Sequence, residues 1–68
     1  MLDLRGAMLD GARMESAKLA GCNLQGASVQ GANLKWADLR NCDLTGADLR
    51  KADLFHATFD GGRLDGAD

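Results

Sequence analysis

The stretch Ala37–Leu54 reads ADLRNCDLTGADLRKADL. Four times in these eighteen residues a small residue, an aspartate and a leucine follow one another. The spacing is five, and it extends both ways along the chain. Counting in steps of five from Leu4 gives Leu9, Met14, Leu19, Leu24, Val29 and onward through Phe59 to Leu64, thirteen positions that are all large and apolar. Two residues before each of these lies a second register, from Leu2, Ala7 and Ala12 to Gly62, with Ala, Cys or Gly at every place after the first. Two residues after each large residue, Gly fills eight of the thirteen places. The register never slips, so no linker divides the chain, and residues 1–68 read as one repeat domain.

A period of five excludes the common elements. At 3.6 residues per turn, five residues advance a net angle of about 140°, which would scatter the leucines around a helix and leave no apolar face. The regularly spaced glycines would each cost about 1 kcal/mol in a helix interior. In one long strand, residues five apart point to opposite faces. The pattern fits short extended pieces in which the small and the large residue, two apart, both point inward. A turn follows each piece, often with Gly supplying backbone freedom. Such pieces form a core only when successive coils stack.

The units resemble those of the pentapeptide repeat proteins, A(D/N)Lxx. Ala32-Asn33-Leu34, Ala37-Asp38-Leu39, Ala47-Asp48-Leu49 and Ala52-Asp53-Leu54 are the closest copies, and the resemblance covers essentially the whole chain. It implies an all-β fold, a right-handed quadrilateral parallel β-helix, with four units per coil and about 3.4 coils in 68 residues. Residues i and i+20 would then lie one above the other. Met8, Arg13, Lys18 and Arg63 depart from the pattern just before the large residue, and they cluster toward the ends, where looser side-to-side packing is expected. Gly62 in the inward register weakens the last unit.

Composition narrows the function classes. Eight basic and ten acidic residues give a formal charge of −2, which offers no bulk attraction to nucleic acid or to anionic membranes. No segment resembles a signal peptide or a membrane span, so a cytoplasmic location is expected. Cys22 and Cys42, twenty apart in the inward register, are expected to stack as buried thiols that act as slightly larger alanines. A zinc site needs about four ligands, and the single histidine does not complete one. No metal or cofactor is expected.

The stacking rule maps the surface. The corner positions Ser16, Trp36 and His56 fall in one column, with Glu15, Lys35 and Phe55 beside them. The lone Trp, the lone His and one of the two Phe are thus gathered on one edge, so Trp36, Phe55, His56 and Lys35 form the candidate protein-contact patch. Elsewhere Glu15 lies under Lys35, Arg40 under Asp60, and Arg50 and Lys51 beside Asp48, a solvated mixture of weak pairs. Asp60, Asp65 and Asp68 suggest an acidic edge that Arg63 interrupts. Catalysis is not expected: Ser16 is two coils from His56, the cysteines face the core, and a filled rod lacks a cleft.

The expected role is a non-enzymatic structural or protein-interaction module. Two alternatives follow from the resemblance. One is DNA-mimic protection or inhibition of a type II topoisomerase (gyrase), which needs a long acidic rod. The other is a repeat segment of a secreted bacterial effector. Neither end carries a polar cap, which predicts either end-to-end self-association or a place within a longer solenoid.

Overall fold

The computed structural model describes residues 2–68. The local cause of the fold lies in the corners. In each unit the amide of the small residue donates to the carbonyl three positions earlier, from Ala7 to Leu4 (3.0 Å) through Ala67 to Leu64 (3.0 Å). The residue before the donor has positive φ at all thirteen corners, eight occupied by Gly and five by Ser16, Trp36, Asn41, Lys51 and His56. A four-residue turn with left-handed backbone only at its third position is the type II arrangement, which explains the glycine column. Between corners there is room for only a few extended residues, so no long strand forms, and no helix occurs among the described residues.

Nine parallel bridges join these short pieces, and every one links residues twenty apart, from Asp3 with Asn23 to Asp43 with Arg63. Four corners therefore separate a residue from its neighbour in the next coil. The first face carries Asp3, Asn23, Asp43 and Arg63; the second Met8, Ser28 and Asp48; the third Arg13, Asn33 and Asp53; the fourth Lys18, Asp38 and Thr58. Leu24 N donates to Asp43 O (2.8 Å), Gly26 N to Thr45 O (2.9 Å), and Asn23 N to Leu2 O (2.9 Å), a pattern that recurs unit by unit. The corner amides thus join the ladder, which leaves few backbone donors to solvent.

With the ladder in place, alternation aims both registers inward. Twelve residues form the buried core, all between Leu19 and Ala47 and all apolar. Ala32 and Ala37 have no exposed surface at all. Leu4, Leu9, Met14, Leu49, Leu54 and Phe59 pack against this core but stay half-buried, because each has a coil on one side only. The Cα trace measures 19 × 19 × 18 Å, a square block rather than a rod.

The departures from the repeat do not loosen the ladder. Met8, Arg13, Lys18 and Arg63 all make their bridges. Their column points outward, so a long side chain meets no wall; Met8 is 85% exposed. What an Asp or Asn contributes there is local. Asn23 Oδ1 accepts the backbone N–H of Gln25 (3.1 Å), and Asn33, Asp38, Asp43, Asp48 and Asp53 do the same for the residue two ahead. This Asx turn satisfies the amide that the ladder leaves free and pre-bends the chain into its corner.

Two substitutions test this packing. Leu39→Ala is expected to lower unfolding free energy by about 2–5 kcal/mol. Ala37→Val is expected to cost about 1–3 kcal/mol, because the site has no spare volume. Denaturant titration followed by circular dichroism measures both.

Candidate protein-contact edge

The four edges of the block differ in which residues take the left-handed corner. Between the first and second faces it is Gly6, Gly26, Gly46 and Gly66; between the second and third, Gly11, Gly31 and Lys51; between the fourth and first, Gly21, Asn41 and Gly61. Between the third and fourth it is Ser16, Trp36 and His56, the one edge without glycine. Positive φ is unusual for a bulky residue and costs about 1–2 kcal/mol relative to the right-handed region. Trp36 at φ 64° and His56 at φ 57° therefore carry backbone strain that glycine would not.

The stacking rule brings these side chains together as expected. The Trp36 and His56 rings stack with centroids 4.5 Å apart and planes 14° from parallel. Phe55 meets both edge-on, at 5.8 Å from Trp36 and 4.2 Å from His56. Trp36 and Phe55 are each 57% exposed, so the cluster lies on the outside of the block. Lys35 stands beside it, with Nζ 3.6 Å from Asp53 Oδ2. The other exposed large apolar residues, Leu2, Met8 and Leu64, join no aromatic contact.

The charges pair differently from the expected columns. Lys35 reaches Asp53 and makes no ion pair with Glu15, and Arg40 is held by Asp38 at 2.7 Å and makes none with Asp60. Arg50 does pair with Asp48, at 2.8 Å. Arg5 with Asp3 and Arg63 with Asp65 repeat the pattern at 2.7 and 3.2 Å. Residues two apart in an extended piece share a face, so a D-L-R triplet carries its own counter-ion, and the triplets at Asp3, Asp38 and Asp48 are visible in the sequence. A second kind of link runs diagonally between coils at a separation of eighteen. Gln25 Nε2 donates to Asp43 Oδ2 (2.7 Å) and Gln30 Nε2 to Asp48 Oδ2 (2.6 Å), while Lys35 leans on Asp53 in the same way. At these three places the residue after the large apolar one leans back along its face to the Asp of the next coil, whereas Arg5, Arg40 and Arg50 bind the Asp of their own coil.

No acidic edge forms at the C-terminal end. A spacing of five puts Asp60 and Asp65 on successive faces, Arg63 binds Asp65, and Arg50 lies 3.8 Å from Asp68. Cys22 and Cys42 are free and buried in the core. The Cys42 thiol donates to Leu19 O (2.8 Å), and burial pushes its pKa up, which keeps it protonated. Among the described residues there is no cavity, no cluster of three or more metal-binding side chains, and no helix long and apolar enough to cross a membrane.

A four-sided stack of parallel bridges with left-handed corners is a β-solenoid built from five-residue units. The family model for pentapeptide repeats (8 copies) matches the chain twice, over residues 2–35 and 32–68. The chain belongs to the pentapeptide repeat family, whose members form right-handed quadrilateral β-helices and are generally non-enzymatic structural modules. Among solved structures it is similar to HetL, a pentapeptide repeat protein involved in heterocyst differentiation regulation from the cyanobacterium Nostoc sp. strain PCC 7120, at 38% identity and a TM-score of 0.93. That alignment covers 96% of this chain and 31% of HetL. A second pentapeptide repeat protein from Nostoc PCC 7120 aligns at 38% identity and a TM-score of 0.94, over 96% of this chain and 54% of that one. A third, from the cyanobacterium Cyanothece 51142, aligns at 32% identity and a TM-score of 0.70, over 97% of this chain and 50% of that one. The chain thus spans between about a third and about half of the length of these relatives. Among curated proteins, none matches the chain.

Two predictions follow from the edges and the pairs. Lys51→Gly relieves a left-handed corner without removing a packed ring and is expected to stabilise by about 0.5–1 kcal/mol. Trp36→Gly is expected to bring no such gain, since aromatic pairs contribute about 0.5–1.5 kcal/mol each. Unfolding midpoints of the two variants decide it. The second prediction concerns acid. Hydrogen bonds from Arg5 and Arg40 lower the Asp3 and Asp38 carboxyls to about 2. Arg50 holds Asp48 well below the usual carboxylate range, and Thr45 and Gln25 lower Asp43. Depressed folded-state values favour folding above the unfolded pKa, near 3.9, and that contribution disappears as pH falls toward about 2. The denaturant midpoint is expected to hold from pH 7 to about 5 and fall below about 4, with a weaker fall in Arg40→Met.

Proposed function

We propose that the chain is a non-enzymatic structural and protein-interaction module: one domain over residues 1–68, a right-handed β-helix of about 3.4 coils, acting in the cytoplasm. The aromatic edge is its contact site, with Trp36 and Phe55 as anchors, His56 backing the indole and Lys35 at the rim. The observation that carries this reading is the ring cluster itself, the one place among the described residues where exposed aromatic rings pack together, built on a corner that glycine would occupy with less strain. Exposed aromatic anchors are what protein interfaces concentrate. Support for the cytoplasm is slighter: both cysteines are free thiols, as a reducing compartment keeps them.

Imitation of DNA is the less favoured reading. It needs a continuous acidic surface, and here Asp3, Asp38, Asp48 and Asp65 are each neutralised by an arginine two residues away. A gyrase supercoiling assay tests it, with no protection or inhibition expected.

The interaction reading is tested by affinity capture from the native host with the wild-type chain and the Trp36→Ala variant. Loss of a specific captured protein in the variant, with unchanged circular dichroism, is the expected outcome. Identical capture by both would remove the aromatic edge as the contact site.

A further inference from the structure

The charged side chains divide the block into two unlike halves. The first and second faces carry three cations, Arg5, Arg50 and Arg63, against six carboxylates, Asp3, Asp10, Asp43, Asp48, Asp65 and Asp68. The third and fourth faces, with the Lys51 edge that borders the third, carry five cations, Arg13, Lys18, Lys35, Arg40 and Lys51, against four carboxylates, Glu15, Asp38, Asp53 and Asp60. The aromatic edge runs down the middle of the second half, diagonally opposite the all-glycine edge of the first.

The state of the cations sharpens the contrast. On the acidic half all three arginines lie within 2.7–3.2 Å of an aspartate. On the aromatic half only Arg40 is held so closely. Arg13, Lys18 and Lys51 form no ion pair among the described residues and are exposed, and Lys35 has only its long contact at 3.6 Å. Arg13 and Lys35 lie on the third face and Lys51 on its far edge, so three of these four cations share a strip whose other edge is Trp36 and His56. An occupied ion pair must be broken before it can serve a partner, whereas a solvated cation is available at once.

We propose that the partner of the aromatic edge is an acidic polypeptide segment, lying along the third face with an apolar side chain against Trp36 and Phe55 and its carboxylates on Arg13, Lys35 and Lys51. This inference rests on the contact-site reading above and adds the chemistry of the partner. A basic segment would meet Lys35 beside the anchor ring and find its complement on the opposite half, where there is no aromatic anchor. Glu15 and Asp53 on the third face keep the attraction local, so the rings set the position and the lysines set the sign.

Trp36 is the only tryptophan, so its fluorescence reports on this edge alone. The folded full chain is titrated with a synthetic peptide alternating glutamate and leucine, and separately with its lysine–leucine counterpart. The acidic peptide is expected to cause a saturable blue shift of Trp36 emission that weakens as salt rises through the physiological range. Lys35→Glu is expected to weaken binding at least fivefold. Arg63→Glu, the same charge change on the opposite half, is expected to leave it within twofold. Circular dichroism checks that both variants fold. Equal or tighter binding of the lysine peptide, equal effects of the two substitutions, or no response of Trp36 to either peptide would overturn the proposal. If Trp36-dependent capture of a protein persists alongside any of these results, only the partner chemistry is wrong; if capture is lost as well, the contact site itself fails.

Discussion

Vertical stacking between residues twenty apart is the constraint on which everything else depends. No five-residue piece can bury its own leucine. Each depends on the same piece one coil above and one below, and the gradient of burial from the ends to the segment Leu19–Ala47 is the direct consequence. The backbone ladder and the side-chain column enforce one another: Leu24 N bonds to the coil that also covers its side chain. A slip by one unit would move every face onto its neighbour and would still place leucine on leucine. What resists the slip is the coil itself: four left-handed corners separate each residue from its bridge partner twenty positions on, and a coil one unit shorter or longer would not close on four sides.

The surface follows from the same geometry under a different rule. Inside, like stacks on like. Outside, a column of identical aspartates would repel, and the chain avoids this by giving an aspartate its own arginine two residues on. The outcome is a largely neutralised wall on which departures stand out. A strained, ring-bearing corner next to solvated cations is the largest such departure, and it is where we place function.

The core was legible in the sequence because its period has no other physical solution: Ala, Cys and Leu registers two apart point one way, and glycine marks the corners. The column holding Trp36 and His56 was legible for the same reason, since corner residues follow the backbone repeat. The number of sides came from family resemblance, and the i to i+20 bridges agree with it. The charge pairs were read wrongly where columns alone were considered. A long side chain samples several acceptors, and Arg40 finds Asp38 on its own face before it finds Asp60 on the next coil. Backbone strain at Trp36 was also missed, although five non-glycine residues in a glycine column were its signal. Met8, Arg13 and Lys18 keep their backbone bridges, because an outward column sets no limit on side-chain length, while the inward residues near both ends are only partly buried.

The most direct test of the account is the pattern of methyl–methyl nuclear Overhauser effects among the leucines in solution. The stacked coil predicts strong contacts of Leu24 with Leu44 and of Leu19 with Leu39, with none between Leu24 and Leu54. Absence of the two twenty-residue contacts from a folded sample, or their replacement by contacts at any other constant separation, would contradict it.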